Sequence, residues 1–236
     1  AALAGEAPVY VVHLSSAAGL AEVRKARAAG QRHFGVETCT QYLTLTEEAY
    51  SDPQEGLKAV MSPPLRTGAD CEALWGGLAD GSVDAVATDH CPFRFAVEKQ
   101  YGVGDFTACP NGAPGVEERL PVLYSEGVAK GRITLPQLVR LACTEPSRLY
   151  GLYPQKGAIQ PGADADVVIL DPNGTRTLTQ STLHSAADYT CYEGMELQGK
   201  IDLVLSHGEV IVQDNQFLGR KGAGRYLKRG RSCLAE

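Results

Sequence analysis

Residues 8–38 read PVYVVHLSSAAGLAEVRKARAAGQRHFGVET, and this stretch decides the fold class. Pro8–His13 is a short apolar run rich in β-branched residues, which predicts a buried strand. Ser15 or Ser16 can cap a helix that runs to about Ala29, with Gly30 as its stop. His33–Thr38 (HFGVET) then predicts a second strand. Strand, helix and strand in succession are the unit from which parallel sheets are built.

The same alternation extends outward. Ala1–Gly5 reads as the tail of a helix, and Thr46 opens a short acidic one. Gly68–Ala79 predicts a helix and Val83–Thr88 (VDAVAT) another buried strand. Thr134–Leu149 carries two helical stretches, with Pro146 at the break. The fold class is therefore α/β. Three strands cannot close an eight-stranded (β/α)8 barrel, which takes ~250 residues. Residues 1–153 are expected to be the C-terminal part of such a TIM-type barrel. After Gly151 the pattern changes to short strands at Ala165–Leu170, Leu203–Ser206 and Val210–Val212. Residues 154–236 are expected to form a β-rich segment and a tail, with the junction at Pro154–Gly162.

Composition excludes several function classes. The chain has 236 residues, 44% of them hydrophobic, and a net charge of -6, so a nucleic-acid partner is not expected. The basic residues Arg220, Lys221, Arg225, Lys228, Arg229 and Arg231 read as a solvated tail. The seven cysteines are scattered without a C-x-x-C pair, which fits a reducing cytoplasm. No apolar run reaches the ~18 residues of a membrane span. No signal peptide is expected at Ala1–Pro8, which leaves the Asn173-Gly174-Thr175 sequon idle.

His13 closes the first strand, and Asp89 follows the third. In α/β barrels reactive groups gather at the carboxyl ends of strands. An imidazole and a carboxylate there suit metal binding or proton transfer, although a structural histidine and a capping aspartate are the commoner uses. The wider phrasing decides between these. The chain reads VVHLSS at Val11–Ser16, ETCTQYL at Glu37–Leu43 and MSPPLR at Met61–Arg66. ATDHCPF at Ala87–Phe93, PNGAPGVEERLP at Pro110–Pro121 and KGAIQPGADADVVILD at Lys156–Asp171 follow in order.

This ordered set, spread over nearly the whole chain, resembles the dihydropyrimidinase and hydantoinase branch of the amidohydrolase superfamily. The resemblance implies a (β/α)8 barrel with a β-sandwich built from both chain ends. It implies a zinc-dependent hydrolase that opens dihydropyrimidines or 5-substituted hydantoins to N-carbamoyl amino acids. Two Zn2+ ions bridged by a carboxylated lysine would be the cofactor. His13 would be the last histidine ligand, and Asp89 a metal ligand that shuttles the proton. Ser62 and Asn111 would hold the small cyclic ureide through their main chain. A homotetramer is implied as well. His90 is expected to support Asp89 or pack beneath the site, and Cys91 has no marked partner base. Arg66 and Glu117–Arg119 are left open between ion pairs near the site and a subunit contact.

The chain departs from that pattern in one respect. It contains no H-x-H pair, and only twelve residues precede His13, so neither that pair nor the bridging lysine has a place. The chain is therefore expected to be a fragment, inactive and aggregation-prone alone. Allantoinases and dihydroorotases share the strand-end His and Asp, but the phrases stand closer to hydantoinases. Metal-free scaffold proteins of the collapsin-response type share the fold, and retention of His13 and Asp89 argues against that alternative.

Overall fold

The computed structural model describes residues 7–235. Strands β1 (Val9–Val11), β2 (Phe34–Cys39) and β3 (Ala85–Ala87) form a parallel sheet in the order β1-β2-β3. Val9 pairs with Phe34, and Glu37 with Ala85. Helix α1 (Ala17–Ala28) supplies the crossover between β1 and β2. Its cap is Ser16, whose hydroxyl accepts the Gly19 N–H at 3.1 Å. The short helix α2 (Thr40–Thr44) leaves β2, and α3 (Gly68–Asp80) precedes β3. Thr67 and Asp70 form a capping box at the start of α3, and Gly81 ends it in the left-handed conformation. Asp70 also accepts the Ala17 N–H at 2.8 Å, which ties the starts of α1 and α3 together.

The core lies between the sheet and these helices. Val36 and Val86 of the sheet meet Leu20 and Val23 of α1 and Leu74, Trp75 and Leu78 of α3, all buried. Trp75 keeps its indole N–H satisfied by donating to the Leu43 carbonyl at 2.9 Å.

Helix α4 (Arg119–Val122) runs on into a π-helical stretch, Leu123–Ala129. Beyond it, α5 (Leu135–Val139), a π-helical stretch (Arg140–Thr144) and α6 (Glu145–Leu149) follow without a gap. Pro146 was expected to separate two helices. Instead the helix continues past it, with the irregularity taken up by the π turn just before. Proline has no N–H for the carbonyl four residues back. That carbonyl, of Ala142, lies 3.5 Å from Arg119 Nη1, which also donates to the Val86 carbonyl at 2.9 Å. The acidic helix expected from Thr46 is only a 3-10 turn, Glu47–Tyr50.

Beyond residue 166 the chain forms an antiparallel sheet in the order β4-β5-β6-β7. Its strands are Val167–Thr177, Glu196–Ser206, Glu209–Gln213 and Gln216–Phe217. The first two are longer than their apolar patterns foretell. Register shifts in β4 fall between Ile169 and Leu170 and between Asp171 and Thr175, and at the second Pro172-Asn173-Gly174 sits as an irregularity inside a strand. Val122 of α4 packs with Leu178, Tyr192 and Leu197 in a second small core that joins this sheet to the helical part.

The C-terminal stretch returns to the parallel sheet. Gly230 N–H donates to the Gly151 carbonyl at 2.7 Å, and the Leu234 carbonyl lies 3.0 Å from His33 Nδ1. Solvated side chains remain along it, Tyr226 among them, but its end is docked rather than loose. No helix among the described residues is long and apolar enough to cross a membrane.

Candidate active site

Parallel strands put their carboxyl ends on one edge of the sheet. His13 follows β1 by two residues, and Asp89 follows β3 by two. Since β2 lies between, strand spacing sets them about 10 Å apart at the backbone. Both residues take positive φ, 41° for His13 and 48° for Asp89. His13 is half-buried and Asp89 exposed.

The connections that follow each donor are anchored to β2 and to the neighbouring loops. Leu14 N–H donates to the Glu37 carbonyl at 2.8 Å, and the Thr38 hydroxyl donates to the Leu14 carbonyl at 2.6 Å. Gln41 Nε2 donates to the Thr88 carbonyl at 3.1 Å, just before Asp89. Cys91 N–H donates to the Ala113 carbonyl at 3.1 Å, just after it. Cys39 closes β2 in the centre with no exposed surface. Burial first, then the charges of Glu37 and Asp89, pushes its thiol far above the usual range.

Ser62 and Asn111 meet directly. Ser62 Oγ donates to Asn111 Oδ1 at 3.2 Å. Gly112 N–H donates to the Val60 carbonyl at 3.0 Å, so the two loops are joined through main chain as well. Both residues line a cavity of about 560 Å³, whose apolar wall includes Leu57, Met61 and Phe106. His13 and Asp89 do not line it. The Asn111 loop is the link, because Ala113 pairs with His90 and Cys91 while Gly112 pairs with Val60. Asp89, Asn111 and Ser62 thus share one connected set of loops, and His13 stands on the opposite flank of β2.

His90 has a structural explanation. Its Nδ1 accepts the main-chain N–H groups of Gly115 at 3.1 Å and Val116 at 3.2 Å. Nδ1 therefore carries no proton, which leaves Nε2 as the protonated nitrogen. Of the residues left open by sequence, Glu118 is buried, Glu117 and Arg119 are half-buried and Arg66 is exposed. Glu117 pairs with His184 at 3.0 Å, Glu118 accepts the Thr190 hydroxyl at 2.8 Å, and Arg119 serves the carbonyls already named. The Arg66 carbonyl accepts the Glu47 N–H at 2.8 Å.

Among the described residues no group of three or more His, Cys, Asp or Glu side chains is placed to hold a metal ion. Imidazole nitrogen and carboxylate oxygen are the donor types zinc takes, but a catalytic zinc has about three protein ligands. The donors here fit in kind and fall short in number.

Sequence reasoning missed Lys99 and Gly112. Gly112, with φ +142°, approaches Cys91 so closely that any Cβ would lie 2.5 Å from the Cys91 carbonyl oxygen. Its signal was present in the Asn-Gly pair of PNGAPG. Lys99 had none, since nothing in FAVEKQYG marks a lysine for burial.

The model of the amidohydrolase family matches residues 11–211. D-phenylhydantoinase of Escherichia coli (strain K12 / DH10B) is 49% identical over 229 residues, which is 97% of this chain and 49% of that protein. The crystal structure of dihydropyrimidinase from Brevibacillus agri NCHU1002 superposes with a TM-score of 0.95 at 44% identity, covering 98% of this chain and 50% of that one. L-hydantoinase (dihydropyrimidinase) from Arthrobacter aurescens gives a TM-score of 0.88 at 31% identity, over 97% of this chain and 50% of that one. The chain spans about half the length of these relatives. The expected fold class holds: α/β, with a parallel strand–helix part and a β-rich part in the arrangement these enzymes have. From the match over most of its length, the chain belongs to the amidohydrolase family.

Proposed function

We propose that the complete protein hydrolyses the cyclic amide bond of dihydropyrimidines or 5-substituted hydantoins, and that this chain supplies part of its site. The observation that carries the reading is the Ser62–Asn111 contact, at 3.2 Å, beside the loop that bears Asp89. It joins two main-chain segments into one surface where the amide edge of a small ring can pair. Held so, the scissile bond is oriented by groups that do not touch the C5 substituent.

In this reading His13 and Asp89 contribute one imidazole and one carboxylate to a two-zinc centre, whose carboxylated lysine and other ligands come from elsewhere in the complete protein. Such a metal pair, held in part by His13 and Asp89, would supply a hydroxide near neutral pH and would polarise the carbonyl under attack. The hydroxyl adds to the carbonyl carbon, and the ring C–N bond breaks. Asp89 accepts the proton of the attacking water and passes it to the departing nitrogen, so the product is an N-carbamoyl amino acid. The loop bonds at Thr88 and Cys91 hold Asp89 for that transfer.

On the same reading, residues 1–153 form the C-terminal part of the barrel, residues 154–236 form a β-rich sandwich segment and C-terminal tail, and the complete protein is a cytoplasmic homotetramer. The test is hydrolysis of dihydrouracil and 5-phenylhydantoin by the zinc-loaded complete gene product. Turnover is expected, and Asp89→Asn should reduce kcat by about 10²–10⁴-fold. Bound zinc without turnover of either ring would overturn the assignment.

A further inference from the structure

Lys99 lies in the 3-10 turn Glu98–Gly102 and has no exposed surface. Its Nζ donates to the Val60 carbonyl at 2.8 Å and to the Pro110 carbonyl at 2.8 Å. The third neighbour is the ring of Phe93, with its centroid 5.8 Å away. These partners are neutral. Burying an ammonium among neutral acceptors is costly, and here burial pushes the lysine below its ordinary range. A position that needed only packing would be served better by methionine or leucine.

The two carbonyls are informative by their place. Pro110 directly precedes Asn111, and Val60 lies two residues before Ser62. The same Val60 carbonyl accepts the Gly112 N–H at 3.0 Å. One side chain therefore spans both loops whose tips meet at Ser62 and Asn111. The turn that carries it is itself attached, since Cys109 Sγ lies 3.7 Å from the Lys99 carbonyl.

We propose that Lys99 is a positioning residue that sets the separation of the Ser62 and Asn111 loops, and so the affinity for the cyclic amide. The affinity part rests on the function proposed above. The loop-positioning part stands on the geometry alone.

Lys99→Met and Lys99→Gln separate these. In the complete gene product, Lys99→Met should speed amide hydrogen exchange in segments 58–66 and 108–114 by about tenfold, while segment 34–39 of β2 stays protected. Lys99→Gln keeps a donor and should fall between. In the zinc-loaded complete gene product, Lys99→Met should raise KM for dihydrouracil about tenfold, with a smaller change in kcat and unaltered zinc content. Failure of the wild-type protein to open the ring would sink the functional reading and leave the exchange result to decide the role of Lys99. An active wild type with unchanged KM and exchange in Lys99→Met would overturn the inference. So would exchange raised equally in all three segments, or loss of the cooperative unfolding transition in both variants, because the lysine would then be general core.

Discussion

Gly112→Ala is the most discriminating single change in the loops around the candidate site. Two costs combine there. Gly112 has φ +142°, where an L side chain is strained, and its Cβ would meet the Cys91 carbonyl oxygen at 2.5 Å and the Cys91 Cβ at 2.8 Å. Gly81 provides the control, since it has φ +82° with nothing within 4 Å of a built Cβ. Gly81→Ala therefore measures a left-handed residue free of any clash, about 1 kcal/mol, and the φ of Gly112, outside that region, costs at least as much. The steric part at Gly112 falls on main chain, which cannot swing aside as a long side chain could. Forcing such an overlap costs roughly 1–3 kcal/mol through backbone shift. The total for Gly112→Ala is then about 2–4 kcal/mol, a large share of the ~5–15 kcal/mol that stabilises a domain. Urea unfolding of the complete gene product, wild type and both variants, reads the difference as a fall in midpoint at constant m. Hydrogen exchange should place the loosening at 89–91 and 110–114. If Gly112→Ala were no more destabilising than Gly81→Ala, the close approach of the two loops would be wrong, and the connection between Asp89 and Asn111 with it.

Other outcomes follow from separate features. Burial pushes the Cys191 thiol up to about 12 and moves Cys39, Tyr42 and Tyr192 upward as well. An unfolded thiol ionises near ~8.5, so the unfolded state loses its protons first. Stability should be full below that pH and decline toward about 12. Denaturant midpoints between neutral and alkaline pH check this, and a flat profile would count against the burial of these groups. Thr134 caps α5 through a reciprocal pair with Gln137, whose Oε1 accepts the Thr134 N–H at 2.7 Å. Thr134→Ala should cost about 1 kcal/mol in unfolding free energy, and Thr134→Ser only a few tenths. With one imidazole and one carboxylate as its donors, this chain alone should retain no stoichiometric zinc after dialysis and should not open dihydrouracil. Retained metal with turnover would show that two donors suffice.

Where local chemistry dictates structure, the sequence is a good guide. Ser16, Gly30 and the VDAVAT run mark the cap, the stop and the strand that the structure contains. It fails where a tertiary partner overrules a local signal. Pro146 reads as a helix break, yet the half-buried Arg119 approaches the carbonyl the proline leaves without an N–H, and the helix goes on. The apolar run ends the predicted strand at Leu170, yet pairing with β5 on both sides of Pro172-Asn173-Gly174 carries the strand on to Thr177. The start of β5 carries Gly199 at φ +90°, placed where a Cβ would strike the Tyr124 ring at 2.4 Å. Its polar, glycine-containing opening conceals a strand that pairs with β4 and on which that ring packs. Lys99 belongs to the same class, since the acceptors that justify its burial lie about 40 and 10 residues away in sequence.

The candidate residues were legible as phrases, but their relation to one another comes only from the fold. His13 and Asp89 both turn into the left-handed region just after a strand, a conformation that costs an L residue roughly 1–2 kcal/mol. Such a residue persists only where its neighbours determine it. After His13, Leu14 is bonded through both its N–H and its carbonyl to β2. Around Asp89, the Thr88 carbonyl is held by Gln41, and His90 is held by the amides of Gly115 and Val116. Each donor thus sits between anchors that belong to other segments, with its own side chain left out of those anchors. An aspartate used as a turn cap would spend its carboxylate on nearby main-chain N–H groups, as Asp52 does with Gln54 and Glu55. At Asp89 the backbone is instead fixed by its neighbours and the carboxylate is exposed at the strand end. That division of labour, rather than the identity of either residue, is what favours a chemical role over a structural one.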